Sequence, residues 1–172
     1  VERIRRPLAC GTVERDGQRV PFEPDRDYCL KISDIYLDLC ACKPGVVDGA
    51  HELVKYLKSK GYRMHISSNG LHEVQFRKLS SCGMLHDFDS IILSDDAGAN
   101  KPLPQFFEYA FRQTGATPEK TLMIGDNYKT DILGAQSSGL DVMFFNRNPA
   151  GFVTPGPVNY EVTSLWAIQE IL

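Results

Sequence analysis

Apolar residues recur along this chain with two different periods. Tyr28, Ile32, Ile35, Tyr36 and Leu39 fall three or four apart, which predicts a helix over residues 27–42 with one apolar face. Lys43-Pro44-Gly45 closes it. Ala50, Leu53, Val54 and Leu57 predict a second helix, starting at Asp48 or Gly49 and ending at Gly61. A strand-like run at 62–67 and short apolar runs at 91–93, 121–124 and 142–145 then take over, and each reads as a strand. Helices are expected between them, to about Cys82, from about Pro104 to Gln113 and over 130–138, with a last one over 164–172. Residues 1–25 are polar and irregular, with Gly11, Asp16-Gly17, Pro21 and Pro24 as turn signals, and 149–157 reads as a loop.

Continuous apolar strands alternating with helices predict an α/β fold, a Rossmann-like parallel sheet with helices on both faces. Ligands of such sheets bind beyond the carboxyl ends of the strands. Three polar segments stand there: Ser68-Asn69-Gly70, Ser94-Asp95-Asp96 and Gly125-Asp126.

Bulk properties narrow the chemistry. The 172 residues, 42% hydrophobic and 24% charged, suit one full core. A net charge of -3 offers no basic field for a nucleic-acid polymer or an anionic membrane. No apolar run approaches the roughly 20 residues of a membrane span, and the start has no signal-peptide core. Five cysteines without regular spacing argue against a disulfide framework, and Cys40-Ala-Cys42 lacks the further ligands of a tetrahedral metal site. A cytoplasmic protein is the expectation.

At Gly125-Asp126 a strand ends in glycine, and Asp131 follows about one helical turn into the next element. Two converging carboxylates suit Mg²⁺, which takes few protein ligands and keeps several waters. A plain helix cap would also explain one of them. Ser68-Asn69-Gly70 before a helix forms a cradle of backbone N–H groups for an anion, or an ordinary Asn-Gly turn. In Lys101-Pro102 the proline restricts the lysine to extended backbone and holds a cation in place, unless Lys101 is simply a solvated surface lysine.

Order and spacing join these signals. A hydroxyl-Asn-Gly after one strand, Lys-Pro about thirty residues later, then strand-Gly-Asp with a second Asp five residues on, resembles motifs two, three and four of the haloacid dehalogenase-like superfamily. The run Met123-Ile124-Gly125-Asp126 through Asp131-Ile132-Leu133-Gly134-Ala135 carries most of that resemblance. It implies an Mg²⁺-dependent phosphohydrolase working through an aspartyl-phosphate. Ser68 would then bond the transferred phosphoryl oxygen, with Asn69 and Gly70 shaping the phosphate loop. Lys101 would neutralise phosphoryl charge, Asp126 would ligate the metal, and Asp131 would bind the metal or its water shell.

The resemblance also implies a first strand carrying two aspartates, the nucleophile and the acid–base, and no Asp-x-Asp after an apolar run stands in this sequence. On spacing alone Asp95-Asp96 could supply a nucleophile. The resemblance instead puts it in the loop leading to Lys101, where it would cap or brace, and adjacent residues point apart, so the two cannot serve as paired acid and nucleophile. The expectation is therefore a core lacking its central strand, between the strands of Ile66 and Ile124, and roughly 60 to 75 further N-terminal residues in the natural protein. Residues 1–45 would be the remnant of a helical cap and 46–172 the incomplete core. Residues 28–34, 65–70 and 92–98 look like the pyrimidine 5′-nucleotidase branch, which implies small phosphorylated metabolites, nucleoside monophosphates among them, as substrates. A phosphate- or metal-binding module without turnover is the competing expectation, and the chain as it stands is expected to be inactive alone.

Overall fold

The computed structural model describes residues 11–43 and 45–172. Expectations for residues 1–10, Cys10 included, and for Pro44 lie outside them. The chain divides into two compact units, Val1–Lys43 and Pro44–Leu172.

The first unit opens with a hairpin that the sequence reading took for irregular chain. Strands β1 (Thr12–Arg15) and β2 (Gln18–Pro21) pair antiparallel. Between them Asp16 and Gly17 both have positive φ, 51° and 76°, the backbone of a two-residue hairpin turn for which Asp-Gly is the favoured pair. Helix α1 (Arg26–Ala41) follows, its N-terminus capped by Asp25, whose carboxylate accepts the Tyr28 N–H at 2.7 Å. Much of its apolar stripe faces outward: Ile35, Tyr36 and Leu39 are more than half exposed.

The second unit carries the site. Its elements are α2 (Ala50–Ser59), β3 (His65–Ser68), α3 (His72–Ser81), β4 (Ser90–Leu93), the short α4 (Ser94–Ala97), α5 (Pro104–Thr114), β5 (Leu122–Gly125), a π-helical turn (Tyr128–Ile132), α6 (Leu133–Ser137), β6 (Asp141–Phe145) and β7 (Tyr160–Val162). Strands β3 and β4 pair in parallel, as do β5, β6 and β7 in that order. Among the described residues no ladder joins β3 to β5, so the strands form two parallel sheets and not one continuous one.

Alternation along β6 shows that helices cover both faces. Met143 packs with Leu53, Val54 and Leu57 of α2, whereas its neighbours Val142 and Phe144 pack with Phe106 and Phe107 of α5 and with Ile132 and Ala135. The α/β class is thus as the apolar runs predict.

Four segments differ from expectation. The segment 130–138 is a π-helical turn leading into a short α-helix, because Asn127 C=O accepts both Asp131 N–H and the longer Ile132 N–H bond at 3.4 Å. The last segment is a 3₁₀ helix, Trp166–Glu170. Residues 94–97 are helical, and β7 is a strand the apolar pattern does not announce, since only Val162 of its three residues is buried.

Candidate functional site

Strand β3 ends at Ser68 and β5 at Gly125, each at the carboxyl rim of its sheet. What connects the two rims is Lys101. Its side chain is 5% exposed, and Nζ donates to the Ser67 carbonyl at 2.8 Å while lying 2.8 Å from Asp131 Oδ1. The ammonium also lies 5.8 Å from the Phe106 ring centre. Lys101 is therefore a buried, paired cation and not a solvated surface lysine.

Asn69 fixes it there. Its side-chain Oδ1 accepts the Lys101 backbone N–H at 2.7 Å, and its Nδ2 donates to the Lys101 carbonyl at 2.9 Å. Both polar ends of one amide thus clamp both polar groups of one residue. The sequence reading gave Asn69 a part in shaping its own loop; the geometry adds that it holds the lysine loop. Gly70, the third member of that segment, is packed against Gln75, whose Cδ would lie 2.9 Å from a Cβ placed there. Ser68, the last residue of β3, stands opposite Leu93 in the ladder, directly after the residue whose carbonyl receives Lys101.

Asp131 is 7% exposed, and both of its oxygens are engaged. Oδ1 takes Lys101 Nζ and the Thr130 hydroxyl at 3.2 Å; Oδ2 accepts the Asn127 N–H at 3.1 Å. Gly125 makes this possible, since a Cβ at that position would meet Asp131 Oδ2 at 2.6 Å and its Cβ at 2.5 Å. Asn127 in turn caps the π-helical turn, accepting the Thr130 N–H at 3.0 Å.

Asp126 is different. Its side chain is about half exposed, and Oδ2 faces Arg147 Nη1 at 3.4 Å. Both residues line a cleft of about 480 Å³ whose other walls include Tyr128, Phe144 and Phe152. Among the described residues no group of three or more His, Cys, Asp or Glu side chains is placed to hold a metal. The donors present are nonetheless oxygen-only, and one accessible carboxylate is within the usual protein share for Mg²⁺, which fills its shell with water and substrate oxygens. By this test the residues fit: Asp126 is the accessible carboxylate, and Asp131 is committed to Lys101 and Asn127.

Asp95 and Asp96 lie on α4, where Asp95 Oδ2 accepts the His72 N–H at 3.3 Å and Asp96 pairs with His72 Nδ1 at 3.0 Å. They brace the start of α3. Cys29, Cys40 and Cys82 are free thiols. No helix among the described residues is long and apolar enough to cross a membrane.

Sequence reasoning missed Arg147. Asn146-Arg147-Asn148 follows β6 directly, the same strand-end position that drew attention after β3 and β5, and that position was the available signal.

A family model described as haloacid dehalogenase-like hydrolase matches residues 16–139. The chain is 42% identical over 90 residues to a glyceraldehyde 3-phosphate phosphatase of Methanothermobacter thermautotrophicus, covering 52% of this chain and 40% of that protein. It is 32% identical over 151 residues to the pyrimidine 5′-nucleotidase PynA of Streptococcus pneumoniae, covering 87% of this chain and 62% of that one. The crystal structure of the HAD-hydrolase YfnB of Bacillus subtilis, bound to magnesium, superposes with a TM-score of 0.79 at 29% identity, over 88% of this chain and 65% of that one. The chain thus spans about half the length of the two curated relatives, 40% and 62%.

Proposed function

Because the chain belongs to the haloacid dehalogenase-like hydrolases, we propose that it carries the phosphoryl-binding half of an Mg²⁺-dependent phosphomonoesterase that acts on small phosphorylated metabolites, nucleoside monophosphates first among them. The nucleophilic carboxylate and its acid–base partner come from a segment outside residues 1–172, and residues 1–45 belong to a cap. Relatives named for glyceraldehyde 3-phosphate and for pyrimidine nucleotides support a small phosphate monoester as substrate.

One observation carries the reading: the Lys101 ammonium, buried and held between the Ser67 carbonyl and Asp131 with its backbone clamped by Asn69. An ammonium has three N–H donors, and the two partners among the described residues leave one to give to a phosphoryl oxygen. Burying a charge is costly even when it is paired, and replacing such a pair with apolar side chains is often neutral for stability. A chain that retains it has a use for fixed positive charge, and phosphoryl transfer depends on such preorganised charge.

In this scheme the Ser68 hydroxyl donates to a second phosphoryl oxygen. Asn69 acts through the lysine loop, keeping Nζ in one place beside the phosphoryl group while negative charge develops on the leaving oxygen. Asp126 would hold Mg²⁺, and Asp131, which orients Lys101, would face the metal's water shell. When bound, Mg²⁺ supplies positive charge that polarises the phosphoryl group.

The test compares residues 1–172 with a longer protein bearing the upstream segment on an aryl phosphate, with and without Mg²⁺. Turnover is expected only in the longer protein with metal, and Asp126→Asn there should abolish it while preserving the fold. Metal-dependent turnover by residues 1–172 alone would overturn the assignment of the nucleophile.

A further inference from the structure

The loop after β6 is more firmly built than its exposure suggests. Asn146 is 2% exposed; its Nδ2 donates to Glu161 Oε1 at 2.8 Å and to the Phe152 carbonyl at 3.1 Å, and its Oδ1 accepts the Asn148 N–H at 3.2 Å. Its own N–H donates to the Val162 carbonyl at 2.8 Å, which extends the β6–β7 ladder past the end of the strand. Thr154 donates to the other Glu161 oxygen at 2.8 Å, and these bonds hold the Glu161 carboxyl below its ordinary range, Asn146 contributing most. Asn148 Oδ1 accepts the Gly151 N–H at 3.1 Å. Arg147 thus sits between two anchored asparagines, its backbone fixed and its side chain 60% exposed.

From that fixed backbone the guanidinium reaches Oδ2 of Asp126, at 3.4 Å. The contact is single and half exposed, the kind of pair that holds weakly. A strong bidentate pair would shut the carboxylate; a weak one keeps it neutralised and still open to exchange.

We infer that Arg147 is the resident counter-ion of Asp126, presented by the Asn146-anchored loop, and that a divalent cation reaches Asp126 by displacing this guanidinium. The inference rests on the reading of Asp126 as the metal ligand. Two cations cannot share one carboxylate edge without repulsion, so Arg147 lowers cation affinity at the site and turns toward the aromatic-walled cleft once displaced. The cleft it lines together with Tyr128 and Phe152 would then receive the guanidinium, open to an anionic group bound there.

The experiment is Mn²⁺ binding to the 172-residue chain, followed by the electron paramagnetic resonance signal of free Mn²⁺, in wild type, Arg147→Gln, Asp126→Asn, the double variant and Lys129→Gln. Lys129 lines the same cleft and controls for a general charge effect. Arg147→Gln should bind Mn²⁺ about threefold or more tightly than wild type, a gain that disappears in the Asp126→Asn background and is at least halved for Lys129→Gln. No gain in Arg147→Gln, or an equal gain in Lys129→Gln, overturns the inference while the Asp126 site stands, provided Asp126→Asn has lost binding. If Asp126→Asn binds as wild type does, the metal reading itself fails and takes the inference with it.

Discussion

Lys101 Nζ lies 2.8 Å from Asp131 Oδ1, with the two side chains only 5% and 10% exposed. A pair so far from water is coupled: removing one partner leaves the other as an uncompensated buried charge. Lys101→Met and Asp131→Asn should each cost on the order of 3 kcal/mol of stability. The double variant should cost clearly less than their sum. Urea unfolding of the four proteins reads this directly, and additive losses would show the two charges to be independent.

Asn69 is predicted to act on phosphate without touching it. Asn69→Ala removes the 2.7 and 2.9 Å bonds that clamp Lys101 and should destabilise the chain by about 2 kcal/mol. Inorganic phosphate affinity should fall together with stability, because the ammonium loses its fixed position. An Asn69→Ala protein that binds phosphate as wild type does would assign the clamp a purely structural role.

Much of this was legible in the residues, for physical reasons that differ by element. Strands β4, β5 and β6 are largely continuous apolar runs, as expected where both faces of a sheet are covered, and such runs stand out. Gly125 was legible as the end of a strand and Asp131 as a carboxylate one turn on, but that glycine leaves room for this carboxylate shows only in the packing. The Asn69–Lys101 clamp was not, since a contact across 32 residues leaves no local period in the sequence. The hairpin was passed over because its strands are short and largely exposed, although Asp16-Gly17 was noted as a turn. Arg147 was missed because exposed charges are common, and only the anchoring of Asn146 sets this one apart.

Gly125→Ala is expected to be among the more damaging small substitutions in the second unit. The added methyl meets the Asp131 carboxylate, so the Asp131–Lys101 pair must shift. Loss of phosphate binding with retained circular dichroism is the expected outcome. Unaltered binding would mean that the turn relaxes around the methyl.

His65 supplies a pH dependence. Partial burial pushes its imidazole below the ordinary 6.5; the nearby Asp89 opposes this and Arg63 reinforces it. Its Nδ1 is buried with no hydrogen-bond partner. The unfolded chain therefore takes up the proton first as pH falls. The contribution to stability is complete above 6.5, declines below it, and levels off once the folded imidazole protonates too. Denaturant midpoints measured at intervals from about pH 7 down to about pH 5 should fall for wild type and fall less for His65→Gln. Parallel curves would remove His65 as the cause.

Lys101 as the phosphate-binding cation is what the proposed function depends on most. Inorganic phosphate binding, measured by ³¹P NMR line broadening in the presence of Mg²⁺, should be at least about tenfold weaker in Lys101→Gln than in wild type. Asp96→Asn, which alters only the brace at His72, should bind normally. Equal affinity in wild type and a folded Lys101→Gln protein would contradict the central claim.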